Sequence, residues 1–330
     1  MLNRAANALY WMCRYLERAE STARLIEVNL HLSLDLPGEE ETWKAVVETT
    51  GDREHFHDHY EVAQREAVLG FLAFDSGNPN SVLECVKAAR ENARTVREYL
   101  PTEAWEGVNT LNLQVKQAAG SAGALTHLEE TVNSVRAGGR QLEGALEAAF
   151  SREEGWYFSQ LGRQCERADQ TSRLVDVNHR LLENRHEEPS HASRWEAVLK
   201  SASGLQMYSR RHGATEGSRV AEFLILDSTF PRSVAFALRQ AEESLRAVTG
   251  TAPGQFNNAA EKSLGKLAAE LRYTDFDDVL SPGVHHWLDS FQTRLNDVGA
   301  EIQKTYFDGV SVLAAELEGA AMQQKQQQQQ

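Results

Sequence analysis

Apolar residues recur every three or four positions along most of this chain, the spacing of helices that bury one face. In the first long segment, residues 3–34, one face carries apolar side chains at Leu9, Met12, Tyr15, Leu16, Ala19, Ala23, Ile26 and Leu30. The last such segment follows Ser281-Pro282-Gly283, and its apolar face consists of Val284, Trp287, Leu288, Phe291, Leu295, Val298 and Ile302. The pattern predicts an all-α protein whose helices pack as a bundle.

Turn-forming residues divide the rest of the chain into shorter predicted helices. Breaks are expected where proline and glycine cluster, at Leu36-Pro37-Gly38, Asp75–Pro79, Leu100-Pro101 and Gly120–Gly123. The intervening segments predict helices at residues 40–50, 61–74, 80–99, 102–119 and from Gly123 to about 150. Residues 323–330 are rich in glutamine, which is typical of a disordered tail.

The pattern then starts again, which indicates an internal duplication. Residues 17–29, ERAESTARLIEVN, match residues 166–178, ERADQTSRLVDVN, at eight of 13 positions with an offset of 149. Further matches follow in the same order at an offset of 152, pairing Trp43 with Trp195, Asp75 with Asp227 and Pro79 with Pro231. Collinear matches of this kind indicate a duplicated unit of about 100 residues.

The duplication predicts how the chain is divided. We expect a first helical repeat at residues 1–125, a second at 126–250, and C-terminal helices completing the bundle at 251–322. The two repeats should share one core in one compact unit. Residues 3–34 and 152–183 should then be related by a pseudo-two-fold axis, with Trp43 and Trp195 as equivalent core anchors.

Composition narrows the function. The formal net charge of −14 argues against a protein that coats nucleic acid, because phosphate binding needs a basic surface. No apolar run approaches a membrane span, and the early Glu17 and Glu20 argue against a signal peptide. The three cysteines form no close pair and predict buried thiols in a reducing compartment. We therefore expect a cytoplasmic protein.

Several motifs together resemble the Alpha-E family of bacterial helical domains. They are LYWMCRYLERAESTARLIEVN at 9–29, FDSGNPNSVLECVKAARENARTVRE at 74–98, CERADQTSRL at 165–174, AELRYTDFDDVL at 269–280 and the closing Thr305-Tyr306-Phe307. Members of that family are encoded beside, or fused to, circularly permuted ATP-grasp proteins and transglutaminase-like proteases. The resemblance therefore implies those two partners and a role in peptide ligation or modification.

The repeated Glu-Arg motifs are the main candidate site. Glu17, Glu20 and Arg24 are spaced to share one helix face, and the second copy repeats the spacing. The candidate residues are Arg14, Glu17, Arg18, Glu20, Arg24, Arg163, Glu166, Arg167, Asp169 and Arg173. They are interpreted as a buried structural network, a ligand site or a solvated surface. We expect Glu17, Arg18, Glu166 and Arg167 to be at least partly buried and paired.

A second candidate is the basic face formed by Arg90, Arg94 and Arg97, which could bind an anion or pair with Glu91. The histidines of EHFHDHY, residues 54–60, do not share one helix face and are interpreted as a solvated segment. No phosphate-binding loop and no serine-nucleophile motif occurs in the sequence. The sequence therefore predicts no metal and no cofactor, and it leaves the catalytic residues unknown.

Three functions remain open on this basis. The first is an accessory or substrate-presenting component of an ATP-grasp-type peptide ligation system, which does not itself bind nucleotide. The second is a hydrolase or transferase with a carboxylate/arginine site between the two Glu-Arg motifs. The third is a purely structural scaffold.

Overall fold

The structure, a computed structural model, describes residues 1–35, 39–182 and 190–308, and all regular secondary structure within those ranges is helical. A 3₁₀ turn at Ala124–His127 precedes α7, and a π-helical turn at Gln303–Phe307 follows α15. The helices are α1 Asn3–Asp35, α2 Glu39–Thr50, α3 Arg53–His57, α4 Arg65–Ala73, α5 Val82–Thr95, α6 Thr102–Ala119, α7 Leu128–Ala149, α8 Glu154–Leu182, α9 His191–Ser201, α10 Leu205–His212, α11 Gly217–Leu226, α12 Val234–Thr249, α13 Ala259–Tyr273, α14 Phe276–Leu280 and α15 Val284–Ile302.

The prediction of an all-α bundle is confirmed, although several elements differ from their sequence-based bounds, including α4, which begins at Arg65, and α7, which begins at Leu128. The segment interpreted as solvated contains α3, because Phe56 is buried and stacks on Tyr60 with ring centroids 4.9 Å apart. Its histidines nevertheless remain at least partly exposed. Helix α5 begins later than expected because Ser81 caps it, accepting a hydrogen bond from the Glu84 N–H at 3.2 Å.

The helices form two similar four-helix circuits that meet along their longest members. In the first, α1 packs on α5, α5 on α6, α6 on α7 and α7 back on α1. In the second, α8, α12, α13 and α15 pack in the same cyclic order. Helices α1 and α8 join the circuits, and one continuous hydrophobic core runs through both. The predicted sharing of one core by two repeats is confirmed.

The order of elements bears on the division of the chain. Helices α1 to α6 correspond in order to α8 to α13, the 3₁₀ turn to α14 and α7 to α15, so the structural repeat covers about residues 1–150 and 151–307. A boundary at residue 125 would separate α7 from the circuit that it closes, and a boundary at 250 would separate α13 from α12. The predicted break at Leu36-Pro37-Gly38 and the predicted tail at 323–330 lie outside the described residues.

Helices α1 and α8 run parallel and in register. Residue numbers increase in the same direction along both helices at their contact. Tyr10 contacts Gly162, Arg14 contacts Glu166 and Glu17 contacts Arg167. A Cβ atom at Gly162 would lie 2.2 Å from the Tyr10 carbonyl oxygen, so only glycine permits this approach. The helix backbones are therefore close enough for short side-chain pairs between the two copies.

The duplicated tryptophans occupy matching places beside this interface. Trp43 lies on α2 and Trp195 on α9, and both are buried in the common core. Their interpretation as core anchors is confirmed.

Candidate functional site: two Glu-Arg clusters between the halves

The helical spacing of the Glu-Arg motifs places them on the faces of α1 and α8 that meet. Both faces are buried although they are charged. The resulting contacts fall into two groups, each centred on one glutamate. We call them the Glu17 cluster and the Glu166 cluster.

In the Glu166 cluster, one carboxylate of α8 accepts hydrogen bonds from two arginines of α1. The Arg18 Nε lies 2.6 Å from Glu166 Oε1, and the Arg18 Nη2 lies 3.0 Å from Oε2. The Arg14 Nε donates to the same Oε2 at 2.8 Å. Gln170 adds a third donor at 3.1 Å, while Arg18 also donates to the Asn80 side chain at 2.5 Å. The carboxylate thus has donors from both copies.

In the Glu17 cluster the roles of the helices are reversed. The Arg167 Nε of α8 donates to Glu17 Oε2 at 3.0 Å, and Arg232 donates to Oε1 at 2.6 Å. A further carboxylate, Glu143 of α7, accepts from Arg167 Nη2 and from Arg163 Nη1, each at 3.2 Å. This cluster therefore holds a glutamate from outside the Glu-Arg motifs.

The second acidic residue of each motif pairs along its own helix. Glu20 accepts from Arg24 and, at 3.2 Å, from Arg232. Asp169 accepts from the Arg173 Nε at 3.1 Å. These are the i, i+4 pairs expected from the sequence, but here they flank the buried clusters rather than lie on the surface.

The two clusters confirm that Glu17, Arg18, Glu166 and Arg167 are buried or half-buried and paired across the copies. The reciprocal pairs, Glu17 with Arg167 and Glu166 with Arg18, are those that a two-fold axis between α1 and α8 would generate. Removing one partner of a buried pair leaves an uncompensated charge, so the pairing fixes the register of the two halves.

The arginines keep the central glutamates ionised. Burial by itself would raise the pKa of Glu17, but the charges of Arg167 and Arg232 outweigh it and lower the pKa from 4.5 to about 2. Burial opposes Arg18 and Arg14 in the same way at Glu166, whose pKa also falls to about 2. Neither carboxylate has a proton to exchange near neutral pH.

The three cysteines are also buried, and burial raises the pKa of their thiols. Burial raises the pKa of the Cys13 and Cys165 thiols to about 11 and that of Cys85 to about 12. All three are free thiols. A thiol with so high a pKa carries little thiolate at neutral pH and is a poor nucleophile.

Two residues of the Glu17 cluster were missed by sequence reasoning. Arg232 aligns with Asn80 inside the matched blocks Pro79–Val82 and Pro231–Val234. The alignment could have pointed to this position, but the two side chains differ, so it was not recognised as part of the site. Glu143 had no sequence signal, because it enters through α7, outside the matched segments. Gly139, one turn earlier on α7, makes room for Glu20: a Cβ there would lie 2.7 Å from the Glu20 Oε2.

The basic face of α5 is separate from both clusters. Arg90 and Arg94 both donate to Glu91, the latter at 2.9 Å, on the protein surface. The guanidinium groups of Arg90 and Arg97 lie over the Trp105 ring, 5.6 and 5.3 Å from its centroid. Anion binding by Arg90, Arg94 and Arg97 stays a prediction. Within the described residues, no group of three or more histidines, cysteines, aspartates or glutamates has the geometry to hold a metal ion.

Three cavities lie near the clusters. One, beside Arg24, Arg167 and Arg232, measures only about 30 Å³, room for a water molecule and no more. A second, of about 260 Å³, lies beside Arg14 under α15. A third is an open cleft of about 670 Å³ between α1, α7 and α9, which exposes charges of both signs, including Arg136, Lys200 and Glu196.

This geometry defines a duplicated all-helical protein whose two halves are joined by paired Glu-Arg motifs. The sequence matches, over residues 1–307, a family described as a predicted alpha-helical domain with a conserved ER motif. The chain belongs to this family, Alpha-E. This chain contains two Glu-Arg dipeptides, Glu17-Arg18 and Glu166-Arg167.

Curated relatives include uncharacterised proteins from Mycobacterium bovis and two strains of Mycobacterium tuberculosis. Each is 24% identical over 333 residues, which covers 94% of this chain and 36% of the relative. The chain thus spans about a third of the length of these relatives. No solved structure matches it significantly. None of the described helices is long and apolar enough to cross a membrane.

Proposed function

We propose that this chain is a binding component of a peptide-ligating or peptide-modifying system, in which it holds an ATP-grasp protein or presents that protein's peptide substrate. The observation that carries the proposal is the closed pairing of the central clusters. Glu17 and Glu166 each accept from two arginines, and each has a pKa near 2. A carboxylate whose pKa lies so far below neutral pH is poorly matched to general acid–base catalysis.

The surface beside the clusters supports a role in binding. The cleft of about 670 Å³ lies next to Arg24 and has cationic and acidic side chains along its walls. An extended peptide presents both hydrogen-bonding groups and charges, which a mixed cleft of this size can complement. Lys200 and Glu196, both on α9, provide one charge of each sign.

The identity of the partner rests on the family resemblance. Because this sequence has no phosphate-binding loop, the partner would bind the nucleotide and activate the substrate. The curated relatives are about three times as long as the segment that matches, as expected if such a domain can also be fused to further domains. A transglutaminase-like protease is the second partner that the resemblance implies.

The test is co-purification with the neighbouring ATP-grasp protein, followed by a ligation assay with and without this chain. We expect a stable complex and a ligation rate that depends on the chain. Calorimetric titration of ATP into the chain alone should give no heat of binding. Micromolar ATP binding by the chain alone would contradict the accessory role and favour the enzyme with a carboxylate/arginine site.

A matched pair of variants locates the contact. Lys200→Glu reverses a charge in the cleft, whereas Lys266→Glu makes the same change on the exposed side of α13. We expect Lys200→Glu to weaken the complex or the ligation rate and Lys266→Glu to leave both unchanged. Equal effects of the two variants would argue against binding in the cleft.

A further inference from the structure

The cavity of about 260 Å³ beside Arg14 lies between α1, α8 and α15. Its floor is formed by α1 and α8, and α15 with the following π-helical turn covers it. Its lining combines aromatic rings, one guanidinium, a thiol, a carboxylate and two amides, contributed by Tyr10, Trp11, Arg14, Cys165, Asp169, Leu295, Asn296, Gly299, Ala300 and Gln303. Its volume is slightly below the range of about 300–1,000 Å³ that is typical of small-ligand sites.

In the other half, the element equivalent to α15 is α7. Helices α7 and α15 occupy equivalent places, because α7 packs on α1 and α15 packs on α8. The ion pair of Arg136 with Glu27 corresponds to that of His285 with Asp176, and both members are displaced by 149 residues. The same offset relates Glu143 to Gln292. A carboxylate in the first half is thus replaced by an amide in the second.

The two equivalent arginines differ in their hydrogen-bond partners. Arg163 donates to Glu143 at 3.2 Å. Its counterpart Arg14 donates through Nε to Glu166, but its Nη1 has only a 3.3 Å contact with the Tyr10 hydroxyl. The Arg14 Nη2 has no hydrogen bond within the described part of the chain, and the buried Nε2 of Gln292 is also without a partner. The outer edge of this guanidinium therefore lacks the carboxylate that its counterpart has.

We propose that the cavity binds the carboxylate of a small ligand, which would give Arg14 the carboxylate partner that Glu143 gives Arg163. The protein itself shows which group fits, because the same pairing is already made by a carboxylate in the other half. An arginine edge binds a carboxylate through charge-assisted hydrogen bonds.

The remaining lining indicates what the carboxylate is attached to. Trp11 and Tyr10 provide an aromatic wall, with the Arg14 guanidinium 5.0 Å from the Trp11 ring centroid. Asn296 and Gln303 provide amides that can bond to a peptide group. This combination fits the C-terminal end of a peptide with an apolar or aromatic last side chain. Its identity as a ligase substrate rests on the proposed function, whereas carboxylate binding does not.

The charge in the cavity distinguishes carboxylate from phosphate. Asp169 also lines the cavity, and Arg173 compensates its charge at 3.1 Å. A second negative charge on the ligand would be repelled by this carboxylate, and the described lining offers no cation besides Arg14, which already pairs with Glu166. A monoanion is therefore favoured over a phosphate dianion.

The test uses the full chain and calorimetric titration with N-acetyl-phenylalanine, with its C-terminal amide as the matched probe. The acid should bind at least about tenfold more tightly than the amide, because the amide loses a hydrogen bond to a charged group. Inorganic phosphate should bind more weakly than the acid. Absence of binding by the acid, or equal binding by the acid and either control, would overturn the proposal.

Two glycine variants separate occupation of the cavity from general effects. A Cβ at Gly299 would meet no atom within 4 Å, so Gly299→Leu extends into the cavity without a clash. Gly144 on α7 is helical and equally unobstructed but lines no such cavity, so Gly144→Leu is the control. Leucine favours helix more than glycine, and both variants should fold. Gly299→Leu should abolish binding of the acid and Gly144→Leu should preserve it; full affinity in Gly299→Leu would refute the site. A failed ligation assay with intact acid binding would reject the proposed function alone.

Discussion

The central glutamates are the residues on which the structure depends most directly. Glu17 and Glu166 lie on different halves, yet each is bonded to an arginine of the other half, and neither is exposed to solvent. If an arginine here loses its carboxylate partner, water cannot reach the buried guanidinium to stabilise its charge. The two side chains therefore stabilise the contact between the halves as well as their own helices.

Replacing either glutamate with glutamine should be costly. For Glu17→Gln and Glu166→Gln we expect the free energy of unfolding to fall by about 3–5 kcal/mol, because each leaves buried guanidinium charge uncompensated. Unfolding in urea, followed by circular dichroism, measures the loss. Glu91→Gln, at an exposed pair on α5, is the control and should cost less than about 1 kcal/mol. Losses below that value in both buried variants would show that the pairs contribute little.

The sequence predicted which motif residues belong to this network, but it did not predict all of their partners. The motif occurs twice at helical spacing, which was enough to expect Glu17 and Glu166 in buried pairs. It was not enough to find Glu143, because a lone glutamate on an amphipathic helix looks like any solvated residue. Nor could it show that Arg14 and Arg163 differ in their partners, since that difference arises from α7 and α15, whose sequences have diverged.

At the scale of elements, the contact between α1 and α8 controls the arrangement. Their parallel, in-register packing brings the two motifs level, and Gly162 allows the backbones to approach. The sequence predicted the first helix, α6 and α15 closely, because apolar spacing and clear breaks coincide there. It did not predict α3, since five residues are too few to show a helical period.

The close approach makes Gly162 a sensitive position. Gly162→Ala should lower the melting temperature and destabilise the protein by about 1–3 kcal/mol, because its Cβ would collide with a backbone oxygen that cannot move independently. Gly144→Ala changes another helical glycine with open space around it, and should stabilise by up to about 1 kcal/mol. Thermal unfolding of both variants measures the difference. An unchanged or raised melting temperature for Gly162→Ala would contradict the packing described here.

At the scale of the whole molecule, many acidic groups contribute to stability in the same pH range. The folded-state pKa values of Glu17 and Glu166 are near 2, below the ordinary value of 4.5. Hydrogen bonds and arginine charges also lower the pKa of Glu261, Asp227 and Glu143 despite partial burial. For groups with depressed pKa values, the stabilisation is present above the unfolded-state pKa and is lost as pH falls.

Acid unfolding should therefore begin below pH about 4.5 and progress towards pH about 2. Between pH 5 and neutrality the contribution of these two glutamates to stability should change little, because they are ionised in both the folded and the unfolded state there. Urea unfolding at a series of pH values provides the curve. In Glu166→Gln one of the two groups no longer titrates, so the slope between pH about 4.5 and about 2 should be shallower than in the unaltered chain; an identical slope would argue against this linkage.

The duplication has a consequence for how the two clusters could come to differ. If each half were a separate chain, two copies would pair through α1-type helices, and every substitution would appear in both clusters at once. In such a dimer, a substitution that removed the internal carboxylate beside one arginine would also remove it beside the equivalent arginine of the other copy. Once the halves are joined covalently, the positions of Glu143 and Gln292 mutate independently. One cluster can then keep the molecule together while the other is released to acquire a specificity of its own.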